Sequence, residues 1–244
     1  MPSRIVILTG AGSGIGLSLA ERLLKRGHTV YGLTRTRKHW PQTKAETRSS
    51  KNFHLESVDV SSERAVKRFL SRVIRKEKRI DVLINNAGYA NRPCALERET
   101  LREWNQNLSS NLISVFLMCK YALPLLKRQG HGWIVNISSM AGKRAVPFLA
   151  AYSASKSGVI ALSQSIAKEN PDVGFRCITV CPGGVNTPMR VKLFGRADAR
   201  KQQTADFVAE KIVEILDGKI DVPSGGDIVI RHGKITAINQ PPEP

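Results

Sequence analysis

The 244-residue chain is poor in acid: 20 Asp and Glu stand against 38 Lys and Arg, a formal net charge of +18. That balance favours acidic partners, phosphate-bearing ligands or polyanions, and it says nothing about fold. Cysteine is also scarce. The four, at positions 94, 119, 177 and 181, form no CxxC pair and have no companion histidines. Neither a zinc site nor a disulfide framework is expected; buried thiols are. The five histidines are scattered, with no HExxH and hence no metal site of that kind. Aromatics make up 6% of the chain and do not interleave with the basic residues, so nucleic-acid binding is not expected. Apolar runs read as too short to span a bilayer, and Met-Pro-Ser-Arg leads straight into a strand pattern with no leader visible. A cytoplasmic protein is therefore expected. No repeat and no second domain is evident.

Strand and helix patterns alternate along the chain. Arg4 to Thr9 (RIVILT) is a short apolar run. The glycine-rich turn Gly10-Ala11-Gly12-Ser13-Gly14-Ile15-Gly16 follows, then a helix with apolar spacing at Leu17, Ala20, Leu23 and Leu24, and a second strand from Thr29 to Thr34. Glycines here permit a tight turn and let a pyrophosphate approach backbone N–H groups at a helix N-terminus, so this βαβ unit predicts dinucleotide binding. Where many NAD-binding folds place an acid for the ribose hydroxyls, the chain reads Thr34-Arg35-Thr36-Arg37-Lys38. Arg35 and Arg37 would pair with a 2′-phosphate, which predicts NADP(H) over NAD(H); Lys38 reads as a solvated loop charge.

A third strand, Phe53 to Val60, ends at Asp59, placed with Val60 to meet an adenine ring. The alternative for Asp59 is a helix N-cap, a role that suits Ser61 or Ser62 better. The helix from Glu63 to Glu77 has one apolar and one strongly basic face, either solvated or a docking surface for an acidic partner. A fourth strand ends in Asn85-Asn86-Ala87-Gly88. A long helical region follows, from about Thr100 to Gln129, with breaks expected near Asn107 and Pro124. Asn111 inside it is either a satisfied core amide or a proton-relay member. Strand Gly132 to Ile137 delivers Ser138-Ser139 to its carboxyl end, where ligand chemistry occurs in doubly wound sheets; Ser139 is favoured to bond a substrate carbonyl and Ser138 is its rival. After a sixth strand comes the loop Cys181 to Pro188. The basic segment 189–206 reads as a substrate lid, mobile when empty, and 239–244 as a frayed tail.

The helix from about Ala151 to Lys168 carries Tyr152 and Lys156 one turn apart on one face. A lysine cation beside a phenol favours the phenolate. At about 4 Å and an effective dielectric near 20, one unit charge is worth roughly 4 kcal/mol, or about three pKa units. That suits a tyrosine to general acid–base work.

These residues together resemble the short-chain dehydrogenase/reductase family, from about Arg4 to Ile230. Thr9 to Gly16 matches its TGxxxGIG, Asn85 to Gly88 its NNAG, Tyr152 and Lys156 its YxxxK, and Pro182-Gly183 with Val185 and Thr187 its PGxVxT. Ser139 and Asn111 fall at the family's intervals. The resemblance implies a single-domain α/β Rossmann fold over residues 1–244, a doubly wound parallel sheet with helices on both faces. It implies that Tyr152 protonates the carbonyl oxygen, Lys156 lowers the tyrosine pKa and holds the nicotinamide ribose, and Ser139 polarises the carbonyl. Asn111 would hold a relay water. Gly10, Ser13, Gly14, Ile15, Gly16, Arg35, Asp59, Val60, Asn86, Ala87 and Gly88 would contact the cofactor, with the Pro182 to Thr187 loop on its carboxamide. The implied function is NADPH-dependent reduction of a small-molecule carbonyl by a homodimer or homotetramer. A 3-oxoacyl-thioester reductase with an acidic carrier protein is the alternative, and a noncatalytic NADPH-sensing or polyanion-binding member is the alternative of another class. The chain departs from the family in a short segment after the PG loop and in a last strand ending Ile-Arg-His-Gly, both of which shape the substrate pocket.

Overall fold

The computed structural model describes residues 2–36, 47 and 49–242; Arg37 and most of the segment 38–51 lie outside them. Eight strands form one sheet in the order β10-β9-β6-β5-β4-β1-β2-β3. They are β1 (Ile5–Thr9), β2 (Thr29–Thr34), β3 (Phe53–Ser57), β4 (Val82–Asn85), β5 (Gly132–Ile137), β6 (Phe175–Pro182), β9 (Asp227–Arg231) and β10 (Lys234–Asn239). All pair in parallel except β10, which returns antiparallel against β9. A separate two-residue ladder joins β7 (Val185–Asn186) to β8 (Gln203–Thr204).

The central strands are apolar at every position because both faces are covered. On β1, Val6 and Leu8 point into one core with α1 (Gly14–Lys25) and α8 (Ala205–Leu216). Ile5 and Ile7 point into the other, with α2 (Glu63–Glu77), α4 (Ser114–Gln129) and α6 (Ala150–Lys168). Each fully buried Leu or Ile contributes roughly 2 kcal/mol, so the two layers fix the strand register. The strand order reverses at β1, between β4 and β2, and this opens the crevice where ligands bind in such sheets.

Several boundaries differ from expectation. Strand β3 stops at Ser57, so Asp59 and Val60 follow it in a turn: Asp59 Oδ1 accepts from the Ser61 N–H at 3.0 Å and from its hydroxyl. Ser62, as expected, is the N-cap of α2. Pro124 lies inside α4 without breaking it. The interruption is instead a π-turn, Ser109–Ile113, between α3 (Leu101–Leu108) and α4. By length and hydropathy the stretch Leu101–Gln129 could cross a membrane, contrary to the reading that no run is long enough. Here it is a core helix, with Met118, Cys119, Ala122 and Leu126 buried against the sheet. The segment after Pro188 is helical: α7 (Pro188–Arg200), broken at Gly195. The tail is anchored through Asn239, whose amide donates to Asp227 at 2.8 Å, and Pro241 packs on Gly225.

Candidate active site

The carboxyl ends of β1, β4, β5 and β6 converge on a cavity of about 540 Å³. One side is the Gly10–Ile15 turn. A side chain at Gly16 would put its Cβ 2.1 Å from the Gly10 carbonyl, so only glycine lets the turn fold onto α1. Ser13 caps α1 by position but its hydroxyl makes no capping bond, and no acid stands in the first turn. The positive end of the helix is thus left to an outside anion, which fits a dinucleotide pyrophosphate. Asn86 ties this turn to β4: its amide donates to the Thr9 and Gly10 carbonyls, and Thr9 Oγ1 accepts the N–H groups of Asn86 and Ala87, both at 2.9 Å. Gly10, Ser13, Gly14, Ile15, Asn86, Ala87, Gly88, Pro182, Gly183, Val185 and Thr187 all line the cavity, together with Ser139, Tyr152 and Lys156.

Strand β5 ends in the two serines, and the structure separates their duties. Ser138 is buried and its hydroxyl donates to the Lys156 carbonyl at 2.7 Å. Ser139 caps the short helix α5 (Met140–Lys143), its hydroxyl oxygen accepting from the Ala141 N–H at 3.1 Å, and it lines the cavity with Tyr152. Helix α5 lies so close to α6 that a Cβ on Gly142 would stand 2.7 Å from the Lys156 carbonyl. This contact sets Ser139 beside Tyr152.

Lys156 is 4% exposed in residue terms of its whole surface, and its ammonium donates to the Ile137 carbonyl at 2.8 Å. Burial pulls its pKa down to about 8, with Cys181 opposing. The ammonium lies 5.9 Å from the centroid of the Tyr152 ring. Burial holds the phenol above its ordinary pKa, with the Ser139 hydroxyl opposing. The Lys156 ammonium is committed to β5.

Asn111 sits on the π-turn, fully buried, and does not line the cavity. Its Oδ1 accepts from the Tyr89 N–H at 2.7 Å, and its amide donates to the Tyr89 carbonyl and to Ser155 Oγ, each at 2.9 Å. The side chain is a satisfied core amide. It stands behind Gly88, where an added Cβ would be 3.3 Å from Asn111 Oδ1 and 3.5 Å from Lys156 Nζ.

The adenine-side residues are not gathered in this way. Arg35 is exposed at the end of β2, Asp59 is exposed beyond β3, and neither they nor Val60 line the cavity. Sequence reasoning missed three supports. Ser155 fixes Asn111; the chain Cys119–Asn85–Asn136–Ser163 runs buried under the strand ends, with Asn85 donating to Asn136 and Asn136 to Ser163, each at 2.8 Å; and Arg144, Arg190 and Arg231 line the cavity. Only the polar residues inside apolar strands (Asn85, Asn136) carried a signal, since a buried amide demands partners.

A family model described as short chain dehydrogenase matches residues 4–198. The chain is 33% identical over 251 residues to the 2-(R)-hydroxypropyl-CoM dehydrogenase of Xanthobacter autotrophicus, covering 97% of this chain and 100% of that protein. It is 30% identical to the NADPH-dependent pterin aldehyde reductase of Arabidopsis thaliana, covering 93% of each. Among solved structures it superposes on levodione reductase with a TM-score of 0.87 at 28% identity, over 94% of this chain and 96% of that one. For ElxO with NADP bound the TM-score is 0.84 at 26% identity, over 94% and 97%.

Proposed function

The chain belongs to the short chain dehydrogenase family, oxidoreductases that act on carbonyl and alcohol groups with nicotinamide cofactors, and from that premise we propose that it is an NADPH-dependent carbonyl reductase, reversible as a secondary-alcohol dehydrogenase. The observation that carries this reading is the meeting of Ser139, Tyr152 and Lys156 on one cavity with the Gly10–Ile15 turn and the Pro182–Thr187 loop.

When bound, the cofactor supplies the hydride. Tyr152 gives its proton to the carbonyl oxygen. The burial that raises its pKa keeps the phenol protonated at neutral pH, which is the form an acid needs. Ser139, on the same cavity, orients the carbonyl oxygen toward that proton. Lys156 is mostly cationic at neutral pH and favours the phenolate left behind. Asn111 acts as a positioning residue, holding the Tyr89 main chain and Ser155 behind Lys156. NADP(H) is the cofactor, supported by Arg35 and by the lack of any acid in Thr34–Thr36; Arg37 is assigned to the same phosphate from the sequence. Asp59 and Val60 serve the adenine end. Segment 189–206 covers the substrate.

The test is a panel of aldehydes and ketones assayed with NADPH and with NADH. Turnover with NADPH on at least one carbonyl is expected. Tight NADPH binding without turnover on any member of the panel would move the protein to the sensing class.

A second reading, reduction of a carrier-linked 3-oxoacyl thioester, is favoured by the net charge of +18. It requires turnover on a carrier-linked substrate to fall with ionic strength far more steeply than turnover on a small analogue. Assembly as a homodimer or homotetramer is supported by Ile113 and Phe116, each 45% exposed on the π-turn and α4. Sedimentation as a monomer at micromolar concentration removes it.

A further inference from the structure

The cavity has a charge pattern that the reduction chemistry does not require. Besides Lys156, four cationic side chains line it: Arg144, Arg190, Lys201 and Arg231. No Asp or Glu does. Two of the four are already answered. Arg190 grips Asp198 with both nitrogens, one contact at 3.0 Å, and Lys201 acts on the same carboxylate. Arg144 and Arg231 have no carboxylate partner among the described residues. Asp227 lies four residues before Arg231 on β9 and pairs with Lys143, the neighbour of Arg144, not with either arginine. Its oxygens are taken by Lys143 at 2.6 Å and Asn239 at 2.8 Å. The stem of Arg231 is fixed: a Cβ on Gly183 would stand 2.9 Å from its Cγ, so the guanidinium is carried over the Pro182–Gly183 loop. Arg144 follows α5 directly, five residues after Ser139. The same cavity is lined by Val146, Leu149 and Leu193, and by the uncharged amides of Gln202 and Gln203.

Two guanidinium groups without a carboxylate partner, on a cavity whose described lining holds no acid, select for an anion. We propose that the substrate is a carbonyl compound bearing an anionic group (carboxylate, sulfonate or phosphate), held by Arg144 and Arg231 while its carbonyl reaches Tyr152. This rests on the carbonyl-reductase reading.

The probes are 4-acetylbenzoate, 4-acetylbenzenesulfonate and the neutral methyl 4-acetylbenzoate, with wild type, Arg144→Gln and Arg231→Gln. In the wild type the KM for each anion is expected about tenfold below that of the ester, the scale of one charge-assisted hydrogen bond. Each variant should raise the KM for the anions about tenfold more than that for the ester, with NADPH affinity retained. Equal KM values for charged and neutral ketones, or equal losses in the variants, overturn the anion site and leave the reductase reading standing. A matching loss of NADPH affinity hands the arginines to the cofactor and also overturns it. Titration of the same three compounds into the Tyr152→Phe protein with NADPH needs no turnover. Preference for the anions there, with no ketone reduced by the wild type, keeps the anion site and sinks the reductase reading; no preference there overturns the anion site.

Discussion

Ser138, Lys156 and Asn111 are held by main-chain or buried partners at 2.7 to 2.9 Å, on helices and strands packed in the two cores. The opposite side of the cavity, residues 188–204, is held by less. Its ties include the Arg190–Asp198 pair, Arg190 stacked 4.1 Å over the Phe194 ring, the two-residue ladder of β7 and β8, and Gln203, whose amide donates to the Ile230 carbonyl at 2.8 Å. Helix α7 is broken at Gly195, and Phe194 is 39% exposed. Proton transfer tolerates little displacement of the acid, so that side is over-determined. A cover that admits and releases substrate needs low local stability, and surface ion pairs supply little.

Changes on the two sides should differ accordingly. The largest effect is expected from Tyr152→Phe. Removing the proton donor should cost on the order of 10²–10⁴ in kcat while NADPH affinity stays close to wild type, read by steady-state kinetics and cofactor titration. A kcat near wild type would show that another group donates.

Lys156→Met probes the rigid side through stability. A lysine whose folded pKa is depressed to about 8 destabilises the fold fully below that pH, and the penalty vanishes as pH rises to its unfolded value of about 10.5. The penalty is about 3 kcal/mol, offset in part by the bond to Ile137. The melting temperature of cofactor-free wild type, relative to the variant, should therefore rise between pH 8 and 10.5. A constant difference across that window removes the buried-charge account.

Arg35→Asp tests the adenine end, outside the lining of the main cavity. NADPH affinity should fall by about tenfold to a hundredfold, with NADH affected much less. Parallel losses for both cofactors would detach Arg35 from the 2′-phosphate.

The smallest effect on stability is expected on the cover. Asp198→Asn breaks a part-exposed pair and should change thermal stability by less than about 1 kcal/mol. It also frees Arg190 in the cavity, so the KM for an anionic ketone should fall. If stability drops like that of a core mutant, the two sides are equally fixed and the contrast fails.

Much of the fold was legible beforehand. The run RIVILT, the turn from Gly10 to Gly16 and the strand Thr29–Thr34 are local patterns, and β2 and β5 fell at their expected bounds. The cavity-lining motif residues were legible because chemistry of this kind sits beyond strand ends, and the strand ends were readable. Segment 188–200 was not, because α7 has little apolar periodicity; it is helical through the Thr187 cap, Pro188 at its start and the Arg190–Asp198 pair. The expected β3 ran too far because Val58 and Val60 extend its apolar β-branched character, yet they are out of phase with Phe53 and Leu55, and the Asp59–Ser61 turn ends the ladder.

The sequence by itself determined the alternation of strands and helices, the dinucleotide turn, and Tyr152 and Lys156 on one helical face, because each depends on residues a few positions apart. Only the tertiary structure decided what those groups do to one another. The Lys156 ammonium goes to Ile137, and Asn111 to Tyr89 and Ser155. Arg144 and Arg231, 87 residues apart in the chain, share one cavity with no acid among the described residues to answer them. Burial and charge pairing are sums over neighbours that come from distant strands, and no local pattern carries them.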